Sequence, residues 1–460
     1  MNVEFECRMK SRSLTSDAAS RRTMEWLRRY ESRNITFMAP DGSWPIVWER
    51  ARGMEVWDAG GRRYLDMTAA FGVAAAGHAN GRVIKAAQRQ LACLPHAMGD
   101  VHPHARKAEL ARELSRITFE RWSRQKGKKQ RTVAEHGKVI FCNSGFEAVE
   151  AALKTAHLAT GRRGMLAFEG GYHGLGYGAL NATHRSFFRE PFLTQLGQFG
   201  RFVPFPTDEE VLSDVLERVR HELQKGDVGA VVVEPVQARG GIRVPPTGFL
   251  PALRRLCDAH GALLILDEIY TGFGRTGAWF ACEHVNVVPD LVCLGKALTG
   301  GFPLSACVGR ADLMDAAWPA SQGEAIHTST FLGNPVGCAM ALAQIEEIRE
   351  RALVRNSARI GALFLNELKA LEPRFANWEV EARGLGLMLG VELRREGRPD
   401  GAGVMRVVQG LLRRGVVVLP EGEWGQVISF TPPLIMNAGH VRRVVAALCQ
   451  AMEEAAKEMP

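Results

Sequence analysis

No apolar run in this chain of 460 residues approaches the roughly 20 that a membrane-spanning helix needs. The longest, such as Gly229 to Val233 and Ala262 to Leu266, have the length of core strands, so the sequence predicts a soluble protein with no membrane partner. A secretory leader is not expected either. The opening MNVEFECRMKSR carries charge where such a signal needs its apolar segment, and the expected location is cytoplasmic. Cys-x-x-Cys pairs and Cys/His clusters are absent too: nine cysteines lie scattered from Cys7 to Cys449, which argues against a metal site and against a disulfide framework. They are expected to be reduced and mostly buried. Basic stretches interleaved with aromatics are also lacking, despite a formal charge of +8. The densest run, Arg124 to Arg131 (RQKGKKQR), contains no reader motif and reads as a solvated loop, so no nucleic-acid partner is expected.

What is present is a globular composition, 46% hydrophobic and 23% charged, in a chain long enough for a large domain with a smaller one attached. Short apolar runs alternate with helical patterns through the middle, which predicts an α/β fold with a mostly parallel central sheet. Strands are expected at 138–143, 165–169, 230–234, 262–267, 291–294 and 304–308. Helices are expected at 144–160 and 247–260, closing near Gly161 and Gly261. A long helical stretch from Pro335 to about Leu371 precedes short strands and helices that suggest a smaller α+β domain, with strands near 386–393, 416–419 and 427–431. The segment 45–67 alternates apolar and polar residues around Gly60 and Gly61 and predicts hairpin strands. The expected division is an amino-terminal segment 1–70 contributing to the small domain, a large domain 71–345, and a small domain 346–460.

Four segments fall at predicted strand ends, where the sites of such sheets gather. In FCNSGFEA (141–148), a strand runs into Ser144, Gly145 and Phe146 at a helix start, a ready phosphate cradle; alone, it also reads as a plain cap. In EGGYHG (169–174), Tyr172 and His173 sit on a glycine-rich loop; the ring could stack on a planar cofactor or simply close the core edge. LILDEIYTGFGRTG (264–277) delivers Asp267 and Glu268 to a strand end, where a carboxylate needs a partner. LVCLGKALTGGFPLSA (291–306) ends its apolar run at Gly295 and Lys296. A lysine there has little structural purpose, and desolvation would lower its pKa toward nucleophilic use. Cradle, ring, carboxylate and lysine together are what pyridoxal phosphate requires: a lysine for its aldehyde and an acid beside its pyridine nitrogen.

These segments, with EPVQARGG (234–241), HTSTFLGNPVGCAMALA (327–343), ARGLGLMLGVEL (382–393) and FTPPL (430–434), resemble the class III aminotransferases, the ornithine, 4-aminobutyrate and omega-amino-acid group of fold-type-I pyridoxal-phosphate enzymes. The resemblance runs from about Ile46 onward. It implies that Lys296 forms the imine and shuttles the proton, that Asp267 pairs with the pyridine nitrogen, and that Ile269 and Tyr172 pack against opposite ring faces. Ser144, Gly145 and Phe146 would hold the phosphate, with Thr330 reaching in from a second subunit, which implies a homodimer. Glu234 and His173 adjoin the cofactor in relatives, as organising groups or as satisfied structural ones; Arg275 reads as structural.

Three departures bear on substrate. Tyr270 replaces a glutamine that bonds the cofactor's phenolic oxygen in many relatives. Arg239 stands where several carry a gating glutamate, and Ser429 where they carry the arginine for the α-carboxylate. Either Arg239 binds the carboxylate of a keto-acid acceptor, or the amino donor is an amine or omega-amino compound without an α-carboxylate; the expected pair is such a donor with a keto acid. Arg239 could instead point to solvent or pair with Glu421 or Glu423, in a carboxy-terminal segment that approaches the pocket in relatives. Phe37, Trp44 and Phe71 lie in segments that line the entrance in relatives. The same lysine would also serve an epimerase, an aminomutase or a decarboxylase. A silent scaffold would not need both Lys296 and Asp267.

Overall fold

The computed structural model describes residues 17–40, 42–126 and 135–458. The first twelve residues, Cys7 and residues 127–131 of the basic run lie outside these. Seven strands form the central sheet: β4 (Gly137–Cys142), β5 (Gly164–Phe168), β6 (Gly200–Val203), β7 (Val228–Val233), β8 (Leu263–Asp267), β9 (Leu291–Leu294) and β10 (Ser305–Arg310). Their spatial order is β4-β10-β9-β8-β7-β5-β6. Only β10 runs against its neighbours β4 and β9; the other pairs are parallel.

Both faces of this sheet are covered, so its inner strands are apolar throughout rather than alternating. Leu166, Val231, Leu264 and Val292 join one large core, whereas Met165, Val232, Ile265 and Cys293 face a second. The two-residue period of a strand sorts them. The helix Gly145–Thr160 packs its alanines into that second core and ends at Gly161 with φ +67°, a conformation glycine adopts without strain. The helix Phe249–His260 begins two residues later than its sequence pattern suggests, because Gly248 is its cap.

The expected hairpin at 45–67 is a three-stranded meander, β1 (Trp48–Arg52), β2 (Glu55–Asp58) and β3 (Arg63–Asp66), with a second turn at Gly53. The long helical stretch divides into Pro335–Glu350 and Leu353–Lys369 at Ala352, which has φ +50°. No glycine or proline marks that break in the sequence. Beyond lie β11 (Glu379–Leu385), β12 (Met388–Arg395), β13 (Arg398–Pro399), β14 (Val416–Val417), β15 (Leu419–Glu421) and β16 (Val427–Phe430). The single strand expected at 416–419 is two: β14 pairs in parallel with β3, while β15 pairs with β16 in a separate sheet. Changing sheets at Val418 turns Glu421 toward the central domain. Among the described residues no helix is long and apolar enough to cross a membrane, and six of eight cysteines are buried and unpaired.

Candidate active site

At the carboxyl ends of β7, β8 and β9, on the edge of the sheet that also receives the first turn of Gly145–Thr160, lies a cavity of about 490 Å³. Lys296, Asp267, Tyr172, His173, Glu234, Ile269, Tyr270, Gly145, Phe146, Arg239 and Phe71 all line it. Lys296 leaves β9 through Gly295 and adopts φ +40°, a backbone geometry that costs a side-chain-bearing residue roughly 1–3 kcal/mol and clusters at functional sites. Its Nζ lies 4.3 Å from the Tyr270 ring centroid. Burial pushes its pKa below the ordinary lysine value, partly offset by Asp267, Glu234 and Glu421, so a neutral, nucleophilic amine becomes accessible.

Asp267 Oδ2 meets His173 Nδ1 at 2.8 Å, and Asp267 Oδ1 accepts from the Ile269 N–H at 3.1 Å. Burial opposes charge on His173, but the bond to Asp267 and its charge outweigh it and hold the imidazole above its usual pKa. Glu234 accepts from the backbone N–H groups of Tyr172 (3.0 Å) and Ala238 (3.1 Å), tying two site loops together. Burial, only partly countered by His173, raises it to about 7. The adjacent carboxylate of β8 goes elsewhere: Glu268 accepts from the Ala281 and Cys282 N–H groups, bracing a loop outside the cavity.

The Ser144 hydroxyl is buried and has no hydrogen-bond partner, at a helix start whose first-turn N–H groups have no intrahelical acceptor. Glu147 turns back instead to the Asn143 and Ser144 N–H groups. A Cβ on Gly145 would stand 3.1 Å from Ile269 and one on Gly295 3.3 Å, so both glycines let Ile269 settle between cradle and lysine. An orphaned hydroxyl at a helix start, a carboxylate on the sheet edge and a buried lysine are the donor and acceptor set that pyridoxal phosphate fits.

Other sequence-derived residues fall outside the cavity of their own chain. Thr330 is exposed, Phe37 is 66% exposed, Trp44 packs against the core, and Ser429 is buried within β16 opposite Gly390 and Leu419. Tyr270 Oη bonds Thr431 Oγ1 at 3.1 Å, which commits its hydroxyl there; burial raises its pKa to about 12. Arg275 is fully buried and donates to the carbonyls of Leu387 and Pro432, a structural tie between domains.

One contribution escaped the sequence pattern. Asp66 accepts from Thr68 Oγ1 (2.6 Å) and the Ala70 N–H (3.1 Å), fixing a left-handed run, Ala69 to Gly72, that presents Phe71. Of the two glutamates expected as possible partners of Arg239, Glu421, buried on β15, is the one that lines the cavity, 3.8 Å from Arg239 Nε.

The class III aminotransferase family model matches residues 37–452. The chain belongs to the class III aminotransferases. It is 37% identical over 410 residues to acetylornithine aminotransferase of Methanosarcina mazei, covering 89% of this chain and 92% of that one. It is 34% identical over 426 residues to 5-aminovalerate aminotransferase of Pseudomonas aeruginosa, covering 90% and 94%. An amine transaminase from an uncultivated Pseudomonas species, solved in its PLP-bound form, superposes with a TM-score of 0.82 at 29% identity, covering 93% of this chain and 99% of that one. This class III aminotransferase is accordingly a pyridoxal-phosphate-dependent transaminase of fold type I, with a large domain around the mostly parallel sheet and a smaller α+β domain.

Proposed function

We propose that this aminotransferase moves an amino group from an amine or omega-amino compound to a keto acid, as a cytoplasmic homodimer. The observation that carries the reading is the convergence of Lys296 and the His173–Asp267 pair on one cavity. Position 429, where several relatives carry the arginine for the α-carboxylate, holds a serine buried within β16 that forms no charged fork. When bound, pyridoxal phosphate supplies an electrophilic aldehyde carbon and a protonated ring that withdraws electrons from the donor carbon. Lys296 Nζ would hold the aldehyde at rest and then carry the proton off and onto the reacting carbon. Asp267, oriented by His173, would keep the ring nitrogen protonated. Ser144 Oγ and the Gly145 and Phe146 N–H groups would hold the phosphate, with Ile269 and Tyr172 on opposite ring faces and Glu234 bracing the Tyr172 loop. Phe71 would give the entrance an apolar edge, whereas Phe37 and Trp44 lie outside the cavity of their own chain. The division at residues 70 and 345 belongs to the same reading; the pairing of β14 with β3 supports it. Donor alone should bleach the holoenzyme's visible absorbance by leaving the amino group on the cofactor. A holoenzyme that no amine or omega-amino compound bleaches would overturn the donor assignment.

Thr330 is exposed and outside its own cavity, which supports its reaching the phosphate of a second subunit. Sedimentation should show a dimer, and Thr330→Ala should weaken cofactor retention. A fully active monomer would contradict this.

Among the described residues Arg239 is the only arginine that lines the cavity, and it would take the keto-acid carboxylate. Arg239→Ala should raise KM for a keto-acid acceptor by about tenfold more than for an aldehyde without a carboxylate. Equal losses would remove Arg239 from acceptor recognition.

A further inference from the structure

Among the described residues three carboxylates line the cavity, and two of them are already engaged. Asp267 is held by His173 and the Ile269 N–H, and Glu234 by two backbone N–H groups. Glu421 is different. It is only 6% exposed, yet among the described residues no hydrogen-bond donor reaches its carboxylate, and its nearest cation, Arg239 Nε, stands 3.8 Å away. Arg239 Nε is itself buried without a hydrogen-bond partner. A carboxylate buried beside a cation at that separation keeps much of its desolvation cost and forms no charge-assisted hydrogen bond in return.

The arrangement is nevertheless built. Gly422 N–H donates to the Arg239 carbonyl at 3.1 Å, which joins the two backbones, and β15 holds Glu421 through its pairing with Val427. The Arg239 guanidinium leans on the Tyr172 and Phe188 rings at 5.1 and 5.9 Å, and its side chain is one-third exposed. It therefore has a path outward, whereas Glu421 has none. A cation arriving in the cavity can replace it at the carboxylate.

We propose that Glu421 is a specificity-determining residue that selects diamines as amino donors, its carboxylate receiving the distal ammonium while the other nitrogen faces Lys296. The proposal rests on the reading above that the donor lacks an α-carboxylate. An ammonium with three donors satisfies the buried carboxylate better than a guanidinium held at 3.8 Å. A monoamine of equal length leaves the carboxylate with Arg239 and gains nothing from it. Unmade polar contacts of this kind discriminate strongly between substrates.

The test compares 1,5-diaminopentane with pentylamine as sole donor to the holoenzyme, following loss of cofactor absorbance in a single turnover. Wild type should favour the diamine by about tenfold in apparent second-order rate constant. Glu421→Gln, which keeps the shape and removes the charge, should bring that ratio near one. Arg239→Ala, which frees the carboxylate, should raise it. A pocket role through packing alone would shift both variants the same way, and that result, or a wild-type ratio near one, would overturn the proposal while leaving the amine-donor reading intact. Bleaching by α-amino acids but by neither amine would overturn both.

Discussion

Lys296→Ala abolishes transamination, lowering turnover by more than about 10³-fold, while the protein stays folded and retains cofactor without a covalent link. Two functions are lost with one amine: the group that receives the aldehyde and the group that moves the proton. Folding is spared because Lys296 makes no hydrogen bond that supports another element, and its φ of +40° is a strain that the smaller alanine also bears. The burial that lowers the Lys296 pKa is a cost of keeping the amine, so its removal relieves the cavity of a desolvated polar group. Absorbance and circular dichroism of the purified variant, with turnover under saturating donor and acceptor, check each part. Normal turnover in that variant would remove Lys296 from the chemistry and the site assignment with it.

Asp267→Asn cuts turnover by about 10²-fold and weakens cofactor binding. An amide at this position can still accept from the Ile269 N–H, but it carries no charge to stabilise a protonated ring nitrogen. The substitution also reaches His173. Burial drives the imidazole toward its neutral form, and the Asp267 bond and charge are what hold its pKa above the ordinary value. Once they are gone, only the Glu234 charge offsets burial, and the His173 pKa falls. Proton NMR of the imidazole across pH should follow that fall. A rate loss under about tenfold, roughly 1.4 kcal/mol of barrier, would mean that another group holds the nitrogen.

The chemistry of the site was legible because its parts are local. β9 is four apolar residues that end in Gly295 and Lys296, and β8 is an apolar run that ends in Asp267; a strand buried on both faces announces its own terminus, and parallel neighbours bring such termini to one edge. The Ser144 cradle is equally local, a strand, a small polar residue and a helix start in sequence. The same pattern could not tell Asp267 from Glu268. Only the folded chain sends one toward His173 and the other to the Ala281 loop, because the strand alternates its side chains and the loops supply different partners.

The sequence of this protein determined the sheet, its helices and the lysine and carboxylate at strand ends, since hydrophobic period and capping residues act within a few positions. The tertiary structure decided what surrounds them. His173 meets Asp267 across 94 residues, and Asp66 shapes the turn that offers Phe71. Ser429 stays inside β16, and Glu421 reaches the cavity because the chain changes sheets after β14. Pairing register between distant strands sets each of these contacts, and a shift of one residue would turn every such side chain to the opposite face.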